Sequence, residues 1–279
     1  MTTTKIHSTA IVDPTAVLHE GVEIGPYTII GPNVELGAHT RIGSHVVIGE
    51  RTITGEQCFI DSFAAVGGEP QDFSYKGEST RVRIGDRTTI REYTTVNRAT
   101  GEGQETVIGS DCMLMEYVHV AHNCQIGNHV IMVNTSQIAG YVELGDYAYM
   151  SALTILHQFV KVGRFALLSG ATGSRQDLPP FTLLDGRPAA VRGVNKVGLK
   201  RRGVGLDSRT HLTKAVKLLF QSGLTIEEAV SKLAADELAD PYVDELLTFI
   251  KTSKRGVYRE SFNRTERDKT GLGVDELTV

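Results

Sequence analysis

Three histidines and one glycine carry the chemistry this chain is expected to perform. His119 and His122 stand in His119-Val120-Ala121-His122-Asn123-Cys124, and His157 stands in His157-Gln158-Phe159. An imidazole ordinarily titrates near about 6.5, so each can take up a proton at neutral pH as a general base. Gly140, in Ala139-Gly140-Tyr141, has no side chain, so its N–H can approach a ligand and hold a developing oxyanion. Asp72, in Pro70-Gln71-Asp72, can orient a base or bind a sugar hydroxyl. Between Gly186 and Leu206 stand Arg187, Arg192, Lys196, Lys200, Arg201 and Arg202 with no acidic residue, a strip suited to phosphates or an acidic partner. The bland alternatives are surface histidines, a solvated loop carboxylate and a solvated basic face.

What positions these residues is a six-residue repeat. In the frame that starts at Ile6, and outside two polar interruptions, position one is aliphatic or Met from Val12 and Leu18 through Ile108, Leu114 and Val120 to Val162 and Leu168; only Thr54 departs. Position five is small or β-branched from Ala10 to Ala166, and it takes Cys58, Cys112 and Cys124 as small core residues. Gly recurs at position two, as at Gly25, Gly37, Gly109 and Gly145, and reads as the place where the backbone turns. The two interruptions are multiples of six and preserve the frame. Three hexads make one coil of a triangular prism, and coils stack at about 4.8 Å. Residues 18 apart then stand on one another: Gly140 next to His122, Gln158 next to Gly140, Tyr141 beside Asn123, and His157 in the column of Ala121 and Ala139. His122 and His157 occupy outward positions. The Gly67 to Glu78 interruption must project, as functional loops do.

The bulk figures agree with a narrow repeating core. The chain has 279 residues, 29 glycines, 6% aromatic residues and no Trp. Its net charge of −4 carries no signature for nucleic acid. No apolar run approaches the roughly 18 residues of a membrane span, and no secretory h-region follows Met1. Three cysteines argue against a disulfide scaffold and suit a cytoplasmic location. The hexads stop near Gly173, and Asp177 to Pro188 reads as a linker. Beyond it Leu212, Val216, Leu219 and Phe220 share a helix face, Thr225 and Glu228 form a capping box, and Asp240-Pro241 opens a further helix. The expected organisation is a β-helix over residues 1–190 with projections near 67–83 and 100–107, an α-helical domain over 191–257, and a flexible polar tail over 258–279.

The hexapeptide pattern resembles the all-β, left-handed parallel β-helix of the acyltransferase superfamily, and the hand is taken from that resemblance. Some trimeric β-helix proteins of similar repeat are zinc carbonic anhydrases. The close spacing of His119 and His122 does not match the ligand spacing of that family, so no metal is expected. Pro70-Gln71-Asp72, Ile90-Arg91-Glu92, the His119 to Cys124 run, Ala139-Gly140, His157-Gln158-Phe159, Asp177-Leu178-Pro179-Pro180, and Asn195 with Lys200-Arg201-Arg202-Gly203 together are similar to the UDP-N-acetylglucosamine O-acyltransferase family of lipid A biosynthesis. The similarity covers residues 6 to 255.

That resemblance implies a homotrimer with active sites between subunits, and transfer of an (R)-3-hydroxyacyl group from acyl carrier protein to the 3-hydroxyl of UDP-N-acetylglucosamine. It implies no cofactor beyond the carrier's own phosphopantetheine. By the same resemblance His122 is the general base and Gly140 the oxyanion donor. Asp72, with Gln71, His119, Asn123 and Tyr141, belongs to the substrate site. His157 and Gln158 contact the nucleotide sugar or phosphopantetheine, and Asn195, Arg201 and Arg202 lie at the phosphate end. Gly170 matches the position that limits chain length and leaves the groove open. The basic strip meets the acidic carrier. The sequence departs from many relatives at Asn123 (Asp), Ser74 (Lys) and Tyr141 (His). A related N-acyltransferase acting on a 3-amino sugar, and a non-catalytic trimeric β-helix, are the alternatives.

Overall fold

The computed structural model describes residues 3–235 and 240–259. Hexad by hexad the chain alternates a short strand with a turn. Among the described residues the strands collect into three sheets of 11, 9 and 8 strands, the faces of a left-handed parallel β-helix. The last strand of the first sheet, Ala190–Val194, is the exception: it lies antiparallel beside Thr182–Asp185, at the expected start of the helical domain. The first face begins at Lys5–Ile6, the second at Ile11–Val12 and the third at Val17–Leu18. Position one fills the prism, as Ile30, Leu36, Ile48 and Ile60 do, and position five packs beside it, as Val22, Thr28 and Val34 do. Polar members can be satisfied by the neighbouring coil, as where Thr28 Oγ1 donates to Gly43 O at 2.8 Å, although the buried Ser136 and Thr172 hydroxyls have no hydrogen-bond partner among the described residues. Thr54, the one polar residue at position one, accepts the Gly37 N–H at 3.1 Å.

The turns are built differently from the sequence expectation. Left-handed backbone falls at position four, where Tyr27, Asn33, His39, His45 and Arg51 have φ between 54° and 59°. Such a conformation costs an L-residue roughly 1–2 kcal/mol, and the stacked coils hold it. The glycines of position two answer another demand. A Cβ on Gly37 would lie 2.2 Å from Gly55 O, so the coils pass too close for any side chain there.

The interruptions keep each strand on its own face: Val66 pairs with Val96, and Val96 with Val120. Arg81–Ile84 already pairs with Glu105–Ile108 along the third face, which leaves 69–80 and 98–104 as the projecting segments. The expected linker from Asp177 to Pro188 is a further coil. Leu178 bridges Val162, and Leu168 pairs with Leu184, each two residues short of the full coil repeat. Phe181 is fully buried within it.

Among the described residues four helices follow: α1 (Lys196–Arg201), α2 (Leu206–Gln221), α3 (Ile226–Ala235) and α4 (Pro241–Thr252). Leu212, Ala215, Val216, Leu219 and Phe220 are the buried stripe of α2. The capping box before α3 is reciprocal, with Thr225 N donating to Glu228 Oε2 at 2.7 Å and Glu228 N to Thr225 Oγ1 at 3.2 Å. The Asp240 side chain accepts the Tyr242 N–H at 2.9 Å and caps α4. The helices dock on the corner between the third and first faces. There His129, Tyr147, Phe165 and Phe181 stack in successive coils, and Tyr242 of α4 meets Phe181 edge-on at 5.5 Å. Arg164 packs against Phe165, Phe181 and Tyr242, and its Nε donates to both Glu245 carboxylate oxygens at 2.7 and 2.8 Å. Among the described residues no helix is long and apolar enough to cross a membrane. The tail expected from residue 258 lies outside the described residues from 260 onward.

Candidate active site

The corner between the second and third faces carries a different column. At position three of successive second-face hexads stand Arg98, His122, Gly140 and Gln158. His122 points out of the prism but is not exposed: its side chain is only 11% accessible, because the projecting loop covers it. The imidazole tip occupies the place a Gly140 side chain would take, since a Cβ there would lie 2.5 Å from both Cε1 and Nε2 of His122. The glycine therefore makes room for the base. Among the described residues no hydrogen bond engages the Gly140 N–H. Tyr141 presents its ring edge-on to the imidazole at 5.3 Å and stacks on Phe159 at 4.7 Å.

The far edge of the ring is fixed. His122 Nδ1 lies 2.9 Å from Asn123 Oδ1. That oxygen also accepts the Thr100 N–H at 2.9 Å, while Asn123 Nδ2 donates to Thr100 O at 3.0 Å. A backbone donor and a backbone acceptor thus leave the amide one orientation. Oδ1 must face the ring, so Nδ1 carries the hydrogen and the Nε2 lone pair is left for a substrate proton.

Asp72 enters from the loop, with Oδ2 3.9 Å from His122 Nδ1. The Ser74 N–H and hydroxyl, each 2.9 Å from Asp72 Oδ1, hold its carboxyl below the ordinary aspartate value, and His122 adds to the effect. Arg98 holds the loop. Its guanidinium donates to Gly67 O at 3.3 Å, to Glu69 Oε1 at 3.3 Å and to the Tyr75 hydroxyl at 2.9 Å, and pairs with Glu50 at 3.2 Å. Sequence reasoning missed Arg98. The signal was present, since Arg98 falls at the same hexad position as His122.

His119 Nδ1 meets Thr95 Oγ1 at 2.7 Å, and burial pushes its pKa down, so it is neutral at pH 7. Gln71, His119, His122, Gly140, His157 and Gln158 line one groove of about 400 Å³. A second cavity of about 710 Å³ shares Ile155 and His157 with it and continues past Gly173, Arg175 and Arg187. These sizes suit small-molecule sites.

The remaining predicted residues lie elsewhere in the chain. Asn195 caps α1 by accepting the Gly198 N–H at 3.0 Å and donates to Phe165 O at 2.9 Å, on the corner between the third and first faces. Arg202 packs over Tyr147 on that corner, and Arg201 is exposed beside it in α1. Gly170 is exposed on the corner between the first and second faces, where an added Cβ would meet Ala152 O at an ordinary 3.7 Å. Within one chain these residues do not reach His122.

Comparison with known proteins adds the following. Residues 177–258 match the family model "Udp N-acetylglucosamine O-acyltransferase; Domain 2", and residues 3–38, 15–50 and 105–140 match the bacterial transferase hexapeptide model. A protein of Trichlorobacter lovleyi named acyl-[acyl-carrier-protein]–UDP-N-acetylglucosamine O-acyltransferase is 55% identical over 258 residues, covering 91% of this chain and 99% of its own. One of the same name from Thermodesulfovibrio yellowstonii is 45% identical over 256 residues, with the same coverage. The crystal structure of a UDP-N-acetylglucosamine acyltransferase from Bacteroides fragilis superposes with a TM-score of 0.87 at 34% identity, over 91% of this chain and 99% of that one. The Francisella novicida enzyme gives 0.86 at 34%, over 91% and 94%.

Proposed function

The chain belongs to the acyl-[acyl-carrier-protein]–UDP-N-acetylglucosamine O-acyltransferase family, and we propose that it transfers an (R)-3-hydroxyacyl group from acyl carrier protein to the 3-hydroxyl of UDP-N-acetylglucosamine with His122 as general base. The observation that carries this reading is the pairing of a tautomer-fixed imidazole with the Gly140 backbone. Asn123 holds Nδ1, and the Nε2 tip lies against Gly140.

The step balances without a covalent enzyme intermediate. His122 Nε2 takes the acceptor hydroxyl proton as that oxygen attacks the thioester carbonyl. The Gly140 N–H accommodates the charge on the carbonyl oxygen. Collapse breaks the C–S bond, and the imidazolium returns its proton to the departing phosphopantetheine thiolate. Asp72, Gln71, His157 and Gln158 serve the sugar nucleotide along the groove. The adjoining cavity at Ile155, His157 and Gly173 takes the pantetheine or acyl chain.

The assembly is a homotrimer in this reading. An exposed apolar stripe supports it: Ile11, Ile29 and Val47 on the second face, with Tyr27, Phe63, Tyr93 and Tyr117 along the adjoining corner. A neighbouring subunit then brings its own Asn195, Arg201, Arg202 and Gly170 toward this groove, which they do not reach within one chain. The strip around Arg187 and Lys200 meets the acidic carrier protein.

The test is an assay of purified protein with (R)-3-hydroxyacyl carrier proteins of graded length and UDP-N-acetylglucosamine or its 3-amino analogue. O-acylated nucleotide is the expected product. Exclusive use of the 3-amino sugar would replace this reading with the N-acyltransferase, and no product at any chain length would leave the non-catalytic scaffold.

A further inference from the structure

We propose that the base is oriented by one residue and charge-balanced by another: the neutral Asn123 amide fixes the His122 ring, and the Asp72 carboxylate offsets the positive charge that forms on it. This rests on the reading of His122 as general base and deepens it.

The division follows from the groups around Nδ1. Asn123 Oδ1 is the hydrogen-bonding neighbour at 2.9 Å, but an amide carries no net charge. A proton accepted at Nε2 makes the ring an imidazolium in a site whose side chain is only 11% accessible, where an uncompensated charge is costly. The titratable groups facing the ring are Asp72 from the loop, His119 from the preceding strand and Tyr141 from the next coil. Of these only Asp72 bears a negative charge at neutral pH. Its Oδ2 lies 3.9 Å from Nδ1, within the range where an opposite charge favours the protonated ring.

The backbone explains why the charge does not sit at residue 123 itself. Asn123 Nδ2 donates to Thr100 O at 3.0 Å. A carboxylate there would lose that donor and set an oxygen against a carbonyl. The anion therefore comes from the loop, where the Ser74 N–H and hydroxyl favour its ionised form. Arg98 clamps the loop on both sides of Asp72, through Gly67 and Glu69 before it and Tyr75 after it. Asp72 and Arg98 are positioning residues in this scheme, the first acting through the ring and the second through the loop.

The experiment follows the His122 Cε1 resonance against pH in the full-length protein with labelled histidine, its signal assigned by its loss in His122→Gln. Wild type is compared with Asp72→Asn, which keeps the side-chain shape. The carboxylate favours the charged ring, so its removal should move the Cε1 transition to lower pH. The acid limb of kcat/KM should move down with it, whether or not KM for UDP-N-acetylglucosamine also rises through the sugar contact proposed for Asp72. An unmoved titration, with KM raised about tenfold, would overturn the proposal and make Asp72 a sugar ligand alone. If wild type transfers no acyl group yet the titration still moves, the general-base reading fails and the charge pairing stands.

Discussion

Two corners of one prism share a backbone and differ in what fills positions three and four. On the corner between the third and first faces, Tyr147, Phe165 and Phe181 stack ring on ring, and Arg164 ties them to Tyr242 and Glu245. On the corner between the second and third faces, the same positions hold Arg98, His122, Gly140 and Asn123, and a loop closes over them. The first column lowers free energy by burying rings and seating the helices. The second places a titratable ring beside a glycine and holds it by hydrogen bonds to groups that have no other freedom. The helix supplies identical registration to both, so chemistry arises where a histidine and a glycine stand at position three, although Tyr141 and Phe159 stack at position four of this corner too.

The contrast predicts opposite responses to mutation. His122→Ala should lower kcat/KM by about 10³-fold, the scale of a lost general base, with little change in thermal midpoint, read in the acyl-transfer assay beside calorimetry. Gly140→Ala should cost about 10²-fold in kcat, because the new methyl occupies the imidazole's place and a displacement near 1 Å is that damaging. Arg98→Met should lower kcat/KM about tenfold by loosening the loop that carries Asp72. Hydrogen exchange over residues 69–80 should quicken in the same variant. On the other corner, Arg164→Met should leave kcat/KM within about twofold. Its ion pair with Glu245 is more than a third exposed, so the pair contributes no more than about 1 kcal/mol, seen as a drop of a few degrees in thermal midpoint. A large kinetic loss at Arg164, or none at Gly140, would dissolve the distinction between the corners.

Much of this was legible in the sequence because stacking is a local rule. Inward residues at positions one and five define the faces, and the 18-residue spacing places His122 against Gly140. The helix starts at Thr225 and Asp240 were equally readable, since caps are short-range. Three things were not. The left-handed turns sit at Tyr, His and Asn residues whose conformation the stack imposes. The coil containing Phe181 is two residues short, so an 18-residue register passes over it. The approach of Asp72 to His122 depends on Arg98 contacts that run across the loop and from one coil to another. Asn195, which the family motif assigns to the substrate, has its amide engaged within its own chain by α1 and Phe165.

The most direct test is the pH dependence of kcat/KM for acyl transfer, measured in parallel for wild type and His122→Ala. His122 acts only as the free base, and Asp72 stays ionised well below neutrality, so the wild-type rate should fall on the acid side with unit slope as His122 takes up a proton. The residual rate of His122→Ala should lack that limb. An acid limb that persists unchanged in His122→Ala would show that another group supplies the base and would contradict the assignment of this corner.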